Sequence, residues 1–413
     1  MSMFGVSRTP RNLVFGEGQR DALPGYIAKV GSKALVVTDA RMTMDTNFKA
    51  MIDGVSAAGV KTCVFDGTIA ELPLDCIAKG VTLGQAFGAD VVVGIGGGSC
   101  LDAAKVIGLL LAHGGRAADY YGEFKVPGPV LPLLLMPTTS GTGSEVTPVA
   151  VITDPERAVK VGIASPHLIC HTAICDPELT YSCPPGLTAV SGADALTHAI
   201  EAFTTVRRQL IGAIVHEHVF VGKNVLSDAY ALLAISNIAR SLKPAYDNGS
   251  DKEARARLMF GATAAGLAFG SAGTAAAHAV QYPIGALTHT PHGAGVAVMM
   301  PYVMEFNRGF CEQELFQIGG AMGLDLNGKS VSEGASETIA AVADLFSSIG
   351  ISQTIADLGV AETDLPLVVD QALGSTRLVK NNPRPLDHDS MTKLVAASFA
   401  GDRSQLNEKP KDH

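Results

Sequence analysis

Between Lys33 and Pro137, short runs of β-branched and aliphatic residues alternate with longer segments whose apolar positions recur every three or four residues. The runs ALVVTD (34–39), KTCVFDG (61–67), ADVVVGI (89–95) and VLPLLLMP (130–137) predict strands. Segments 46–58, 74–88 and 99–113 match helices in length and period. Strands alternating with helices in this way build βαβ units and a parallel sheet. After about Tyr181 the chain turns to Ala-, Leu- and Ile-rich stretches of helical length with few β-branched runs. The pattern predicts an α/β amino-terminal domain followed by an all-α carboxyl-terminal domain. The turn-rich cluster DPELTYSCPPGLT (176–188) places the boundary near Ser182, giving domains 1–182 and 183–413. A second turn-rich stretch, 380–389, leads into the last helix, and the tail from Gln405 is expected to fray.

The 413 residues exceed the roughly 100–200 of one typical domain, and 47% hydrophobic against 17% charged residues allows large buried cores. A net charge of −9 argues against nucleic acid or an anionic membrane as the main partner, since both select clustered Lys and Arg. A small-molecule substrate is expected instead. The start, MSMFGVSRTPRNLVF, lacks a basic segment followed by an apolar run, and the longest apolar stretches, 106–112 and 129–137, fall short of the ~20 residues that span a bilayer. A soluble, cytoplasmic chain is expected. Its seven cysteines contain no CxxC pair and read as reduced core thiols.

The run 88–112 sets Gly96, Gly97 and Gly98 between a buried strand and a helix. Backbone without side chains can approach a ligand closely, and the amides at the start of a helix suit a pyrophosphate. Ser99 is placed to cap that helix or touch phosphate, and Asp102, three residues on, completes a capping-box-like pattern. The order differs from G-x-G-x-x-G followed by an acid, because here the acid comes first. Asp39, at the end of the first strand, can bond a ribose 2′-hydroxyl and repel a 2′-phosphate, or cap the next helix. A second loop, MPTTSGTGSEVTP (136–148), gathers Thr138, Thr139, Ser140, Thr142 and Ser144 around Gly141 and Gly143, offering donors to phosphate or sugar oxygens.

In SGADALTHAIEAF (191–203), Asp194, His198 and Glu201 fall on one helical face. An Asp and a His one turn apart can share a cation, provided further ligands come from elsewhere. Segment 275–295 supplies candidates, with His278, His289 and His292 among the chain's 11 histidines. His278 is expected on a helix ended by Pro283, and His292 at a Pro-His-Gly turn before an apolar segment. One carboxylate and three imidazoles suit Fe²⁺ or Zn²⁺ rather than Mg²⁺ or Ca²⁺, and ligand type does not choose between iron and zinc.

With these residues assembled, the chain resembles the iron-containing, or group III, alcohol dehydrogenase family from VFGEGQ near Val14 to about Asn307. GGGSCLDAAK resembles the family's GGGSxxDxAK, and PTTSGTGSE its PTTxGTGSE. The resemblance implies a dinucleotide-binding α/β domain, a helical domain and an active-site cleft between them. It places the metal on Asp194, His198, His278 and His292, and NAD rather than NADP at Asp39. Lys160 resembles the family lysine near the ribose and nicotinamide, and Leu179 another cofactor contact. The implied reaction is hydride transfer between NAD and an alcohol or its aldehyde or ketone, with the ion, Fe²⁺ or Zn²⁺, as Lewis acid. A homodimer or higher homo-oligomer is expected.

Two places depart from the family pattern. Tyr282 stands where many members carry a histidine four residues after the metal His278, often credited with proton transfer; a phenol of pKa near ~10 is a poorer base at neutral pH. Tyr282 and His292 are therefore the candidate catalytic pair, with the cofactor ribose, a water or His289 as other proton routes. The second is 205–222, with His216 and His218, which either lines a substrate entrance or is a longer loop or helix. Tyr282 also admits a hydroxyacid–oxoacid transhydrogenase on the same scaffold. A dehydroquinate synthase-like lyase would need a basic pocket that the sparse Lys and Arg near these motifs do not offer, and a ligand sensor would hold metal without turnover.

Overall fold

The computed structural model describes residues 3–154, 159–209 and 212–407. In chain order the elements begin β1 (Asn12–Phe15), α1 (Leu23–Ile27), β2 (Lys33–Val37), α2 (Thr46–Ala57), β3 (Lys61–Phe65), α3 (Leu74–Phe87), β4 (Val91–Gly96) and α4 (Gly98–His113). They continue with β5 (Gly122–Glu123), β6 (Leu133–Pro137), β7 (Val149–Asp154), β8 (Val159–Ala164) and β9 (Thr172–Cys175). Helices follow: α5 (Pro185–Thr204), α6 (Ile214–Glu217), α7 (Val225–Asp247), α8 (Lys252–Ala272), α9 (Ala276–Thr288) and α10 (His292–Met322). The last are α11 (Val331–Ser348), α12 (Leu365–Gly374), α13 (Thr376–Asn381) and α14 (His388–Ala400). The expected α/β then all-α order is present, and the strands read from the hydrophobic runs correspond to β2, β3, β4 and β6.

Two compact units are formed. One comprises Arg8–Ser182 with Gly212–Val219, the other Met1–Ser7, Cys183–Ile211 and Phe220–His413. The start of the chain joins the helical unit because Val225 N–H donates to Phe4 O at 3.0 Å. The Arg8 guanidinium draws α6 to the α/β unit, donating to Val215 O and Val219 O at 2.8 Å each. Segment 205–222 thus holds a short helix, with His216 exposed and His218 half-buried. Leu210 and Ile211 within it, and residues 408–413 of the tail, lie outside the described residues.

The α/β unit is built on a six-stranded parallel sheet in the order β1-β9-β6-β4-β2-β3. Val91, Val92, Val93 and Ile95 of β4 are wholly buried, as expected of a sheet covered by helices on both faces. From β2 the chain passes to β3 on one side and returns to β4 on the other, so the strand order reverses at β2 and β4. The carboxyl ends of strands flanking such a reversal form the binding crevice of open α/β sheets. Asp39 follows β2 and Gly97 follows β4, so this edge carries both. A smaller sheet pairs β5 with β8 and β8 with β7, the latter an antiparallel hairpin.

In the helical unit α5 packs against α7, α8 and α10, and α9 against α10, α12 and α13. Helix α9 runs through Pro283 rather than ending there. Proline in a helix interior forgoes one backbone hydrogen bond, and burial of Ala279, Val280, Pro283 and Ile284 supplies the packing that holds the helix across it. His292 opens α10 after the cap residue Pro291. Among the described residues no single helix is long and apolar enough to cross a membrane, and all seven cysteines lie outside any disulfide.

Candidate dinucleotide and metal sites

At the end of β4 the chain turns on Gly96, whose φ of 151° disfavours any side chain. Helix α4 starts at Gly98 with Gly97 as its cap residue and no side-chain cap. The expected capping role of Ser99 and Asp102 is therefore corrected. Because the helix begins one residue earlier, Ser99 lies inside its first turn. Asp102 reaches instead to the second loop and the strand after it, where Oδ1 accepts from Ser144 Oγ at 2.6 Å and Oδ2 from Val151 N of β7 at 2.9 Å.

The two loops touch. A Cβ on Gly98 would lie 2.6 Å from Thr142 Cγ2, and one on Gly97 3.8 Å from Thr139. Thr138 N–H donates to Gly96 O at 3.0 Å, and Thr138 is buried while Thr139 and Thr142 are half-buried. Behind them Lys105, a residue the motif reading left without a role, is wholly buried. Its Nζ donates to Thr147 O, Thr147 Oγ1 and Val149 O at 3.0, 3.2 and 2.8 Å, and stands 3.9 Å from Asp102 Oδ1. Burial pushes the Asp102 carboxyl up and the Lys105 ammonium down from their ordinary values, each opposed by the other's charge. The acid and lysine of the glycine motif thus fasten the hydroxyl loop to the helix.

Asp39 accepts from Arg41 N at 2.8 Å and Met42 N at 3.2 Å, and pairs with Arg41 Nη2 at 2.9 Å. Burial raises its pKa, but the bonds from Arg41 and Met42 outweigh it and hold the carboxyl below the usual range. Lys160 pairs with Glu71 Oε2 at 2.6 Å. Glu71 sits in a left-handed turn (φ 65°) whose carbonyl accepts from Thr153 Oγ1 at 2.6 Å. Leu179 lies 9% exposed in the apolar cluster with Leu23, Ile27 and Met136.

In the helical unit Asp194, His198, His278 and His292 each direct one ligand atom into a cluster spanning no more than 4.8 Å. Asp194 Oδ1 stands 3.7 Å from His198 Nε2 and 3.8 Å from Nε2 of His278 and of His292. Four donors about 2.0–2.2 Å from one first-row ion stand roughly 3.3–3.6 Å apart when tetrahedral, close to this arrangement. His278 Nε2 is buried without a hydrogen-bond partner, a state that costs free energy unless a cation takes the lone pair. The donor set therefore fits a divalent ion.

The partners behind the imidazoles fix which nitrogen carries the proton. Glu201, third on the Asp194–His198 face, accepts from His278 Nδ1 at 2.6 Å, from Ala275 N at 2.9 Å and from Ala277 N at 2.7 Å. Gln281 Oε1 accepts a hydrogen bond from His292 Nδ1 at 2.6 Å. Phe269 stacks on the His198 ring at 4.3 Å, and His198 on His278 at 4.7 Å. Sequence reading placed Glu201 on the correct face without a role, and missed Gln281 and Phe269.

Tyr282 is half-buried one residue beyond Gln281, its ring 6.1 Å from that of His292. His289 ends α9 in a left-handed conformation, exposed and outside the four-residue cluster.

Comparison with known proteins gives matches over most of the chain. Residues 10–177 match the model described as iron-containing alcohol dehydrogenase, and residues 188–399 that of the Fe-containing alcohol dehydrogenase family, C-terminal. A long-chain-alcohol dehydrogenase of Geobacillus thermodenitrificans is 35% identical, with 94% of each chain covered. Among solved structures, a 1,3-propanediol oxidoreductase superposes with a TM-score of 0.90 at 32% identity, covering 96% of this chain and 100% of that one. A sulfoacetaldehyde reductase of Bifidobacterium kashiwanohense in complex with NAD⁺ gives 0.83 at 25% identity, covering 97% and 100%.

Proposed function

The chain belongs to the iron-containing alcohol dehydrogenase family, and from that premise we propose that Asp194, His198, His278 and His292 hold the divalent ion of an NAD-linked alcohol–aldehyde oxidoreductase. Interconversion of an alcohol and its carbonyl is the chemistry this membership gives. The observation that carries the site assignment is the approach of three Nε2 atoms to one Asp194 oxygen at 3.7–3.8 Å. When bound, the ion supplies a Lewis acid for the substrate oxygen and the nicotinamide gives or takes the hydride. The ion is Fe²⁺ by family, and the donor set also admits Zn²⁺. Asp194 adds one negative charge to three neutral imidazoles, and Glu201 keeps the His278 proton on Nδ1. Beside His292, Tyr282 relays the hydroxyl proton toward solvent.

The cofactor reading places the pyrophosphate on Gly96, Gly97, Gly98 and Ser99, with Thr138, Thr139 and Thr142 around it. Asp102 and Ser144 hold the second loop in place. Asp39 faces the ribose, and Lys160 and Leu179 lie further along the dinucleotide. Asp39 sets the preference for NAD by repelling a 2′-phosphate. Asp39→Gly is expected to cut the kcat/KM ratio of NAD⁺ over NADP⁺ at least tenfold, about 1.4 kcal/mol or more of lost discrimination. An unchanged ratio would remove Asp39 from the cofactor site.

The substrate is a primary or secondary alcohol or its carbonyl. The names of the relatives span long-chain alcohols, a diol and a sulfonated aldehyde, so the family does not narrow it further. Cysteines outside disulfides suit a cytoplasmic enzyme, and Leu13 and Phe15 of the edge strand β1, 42% and 37% exposed, suit a homo-oligomer. Elemental analysis of the purified protein, paired with NAD⁺ reduction on a panel of alcohols, diols and hydroxy acids, tests the proposal. About one ion per chain and turnover lost on chelation are expected, whereas turnover by ion-free protein would overturn it.

A further inference from the structure

We propose that Gln281 is the positioning residue that selects the metal-binding tautomer of His292, and that the site's affinity for a divalent ion depends on it. The inference rests on the metal reading above. It concerns a side chain behind the cluster rather than a ligand.

A neutral imidazole has one N–H and one lone pair, and the hydrogen bond at one nitrogen decides where the lone pair lies. Gln281 Oε1 can only accept. At 2.6 Å from Nδ1 it holds the His292 proton there and leaves the lone pair on Nε2, the atom 3.8 Å from Asp194 Oδ1. The opposite amide orientation would place Nε2 of Gln281 on Nδ1, and the ring proton would then point into the cluster, where a cation cannot be bound. A reversal of one side chain therefore separates a competent site from an incompetent one.

Packing, rather than a second hydrogen bond, confines the side chain. Gln281 is 1% exposed and its Nε2 is buried without a hydrogen-bond partner. Glycines leave the room it occupies: a Cβ on Gly285 would lie 2.7 Å from Gln281 Nε2, and one on Gly295 2.6 Å from Gln281 Cγ. Gly285 belongs to α9 and Gly295 to α10, so the slot is shaped by both helices that carry the histidines at issue. An apolar side chain of similar size would fill that slot and spare the buried amide, yet it could not orient the ring. His278 has a charged orienting partner in Glu201, whereas His292 has a neutral one. Partners of this kind typically change metal affinity about 10–100-fold when removed.

The test compares wild type, Gln281→Leu, Gln281→Glu and His278→Ala, each stripped of metal and titrated with Co²⁺ against a chromophoric chelator. Binding is read from the chelator and from the visible Co²⁺ absorption bands. Gln281→Leu, close in volume but without an acceptor, is expected to weaken Co²⁺ binding at least about tenfold and to alter the bands. Gln281→Glu keeps an acceptor facing Nδ1 and is expected to bind within about threefold of wild type with wild-type-like Co²⁺ bands. Leu and Glu variants that both bind like wild type would overturn the inference, as would a Glu variant as weak as Leu. Failure of the metal reading looks different: wild type itself would not bind Co²⁺, or would bind no better than His278→Ala.

Discussion

His198→Ala and His278→Ala proteins are each expected to purify with less than about a tenth of the wild-type metal content and to lose NAD-linked turnover by more than about a thousandfold. The size follows from the role. A Lewis acid stabilises the charge developing on the substrate oxygen by several kcal/mol, and each 1.4 kcal/mol is roughly tenfold in rate. The two positions have different surroundings. Removing the His198 ring takes away a stack on Phe269, whereas removing the His278 ring leaves Glu201 still accepting from the amides of Ala275 and Ala277. Their stability losses should therefore differ, with that of His278→Ala near the ~1–3 kcal/mol of one broken buried hydrogen bond. Their metal losses should coincide. Metal content by elemental analysis and unfolding in urea separate the two effects. A variant that keeps its ion and a tenth of the activity would take that histidine out of the ligand set.

Much of this site could be read from spacing because helices convert spacing into direction. Asp194 and His198, four apart on α5, necessarily project from one face, and Glu201 follows on the same face. His278 and His292 lie on separate helices, so motif resemblance rather than periodicity linked them. Gln281 shows where such reading stops. It belongs to the His278 helix but serves His292, a pairing that exists only once α9 and α10 pack. Asp102 was legible as an acid three residues into a helix, yet a one-residue shift of the helix start freed it to bind Ser144 and Val151. Pro283 predicts a terminator, and burial along α9 overrides it. Strands β1 and β9 escaped because four residues give too short a period to recognise, although β9 lies inside the sheet. The polar contacts of Asp39 are local, to Arg41 and Met42, whereas that of Lys160 with Glu71 and those of Lys105 with Thr147 and Val149 are tertiary. Only the folded chain reveals that Asp39 and Lys160 are already paired, with Arg41 and Glu71.

Gly293→Ala is expected to destabilise the protein by about 1–3 kcal/mol and to weaken metal binding at least about tenfold, although it removes no ligand atom. Two effects oppose each other at this position. Alanine favours a helix over glycine by about 1 kcal/mol, and Gly293 lies in the first turn of α10 without a positive φ. Local propensity alone would make the substitution stabilising. Against it stands the approach of α10 to α5, where a Cβ on Gly293 would lie 2.1 Å from Val190 O, 2.9 Å from Val190 C and 3.1 Å from Asp194 Cβ. The first two contacts are with backbone and cannot be relieved by a rotamer change, so the helices must part by about 1 Å. That movement acts directly on the cluster, since Gly293 adjoins His292 and Val190 lies one turn before Asp194 on α5. Widening the 3.8 Å separation of His292 Nε2 and Asp194 Oδ1 carries both beyond common reach of one ion. Steric cost therefore outweighs helix propensity. Urea unfolding of the metal-free proteins measures the first effect and chelator competition the second. A Gly293→Ala protein at least as stable as wild type, with unchanged affinity, would show that the close packing of α10 on α5 does not set the ligand geometry.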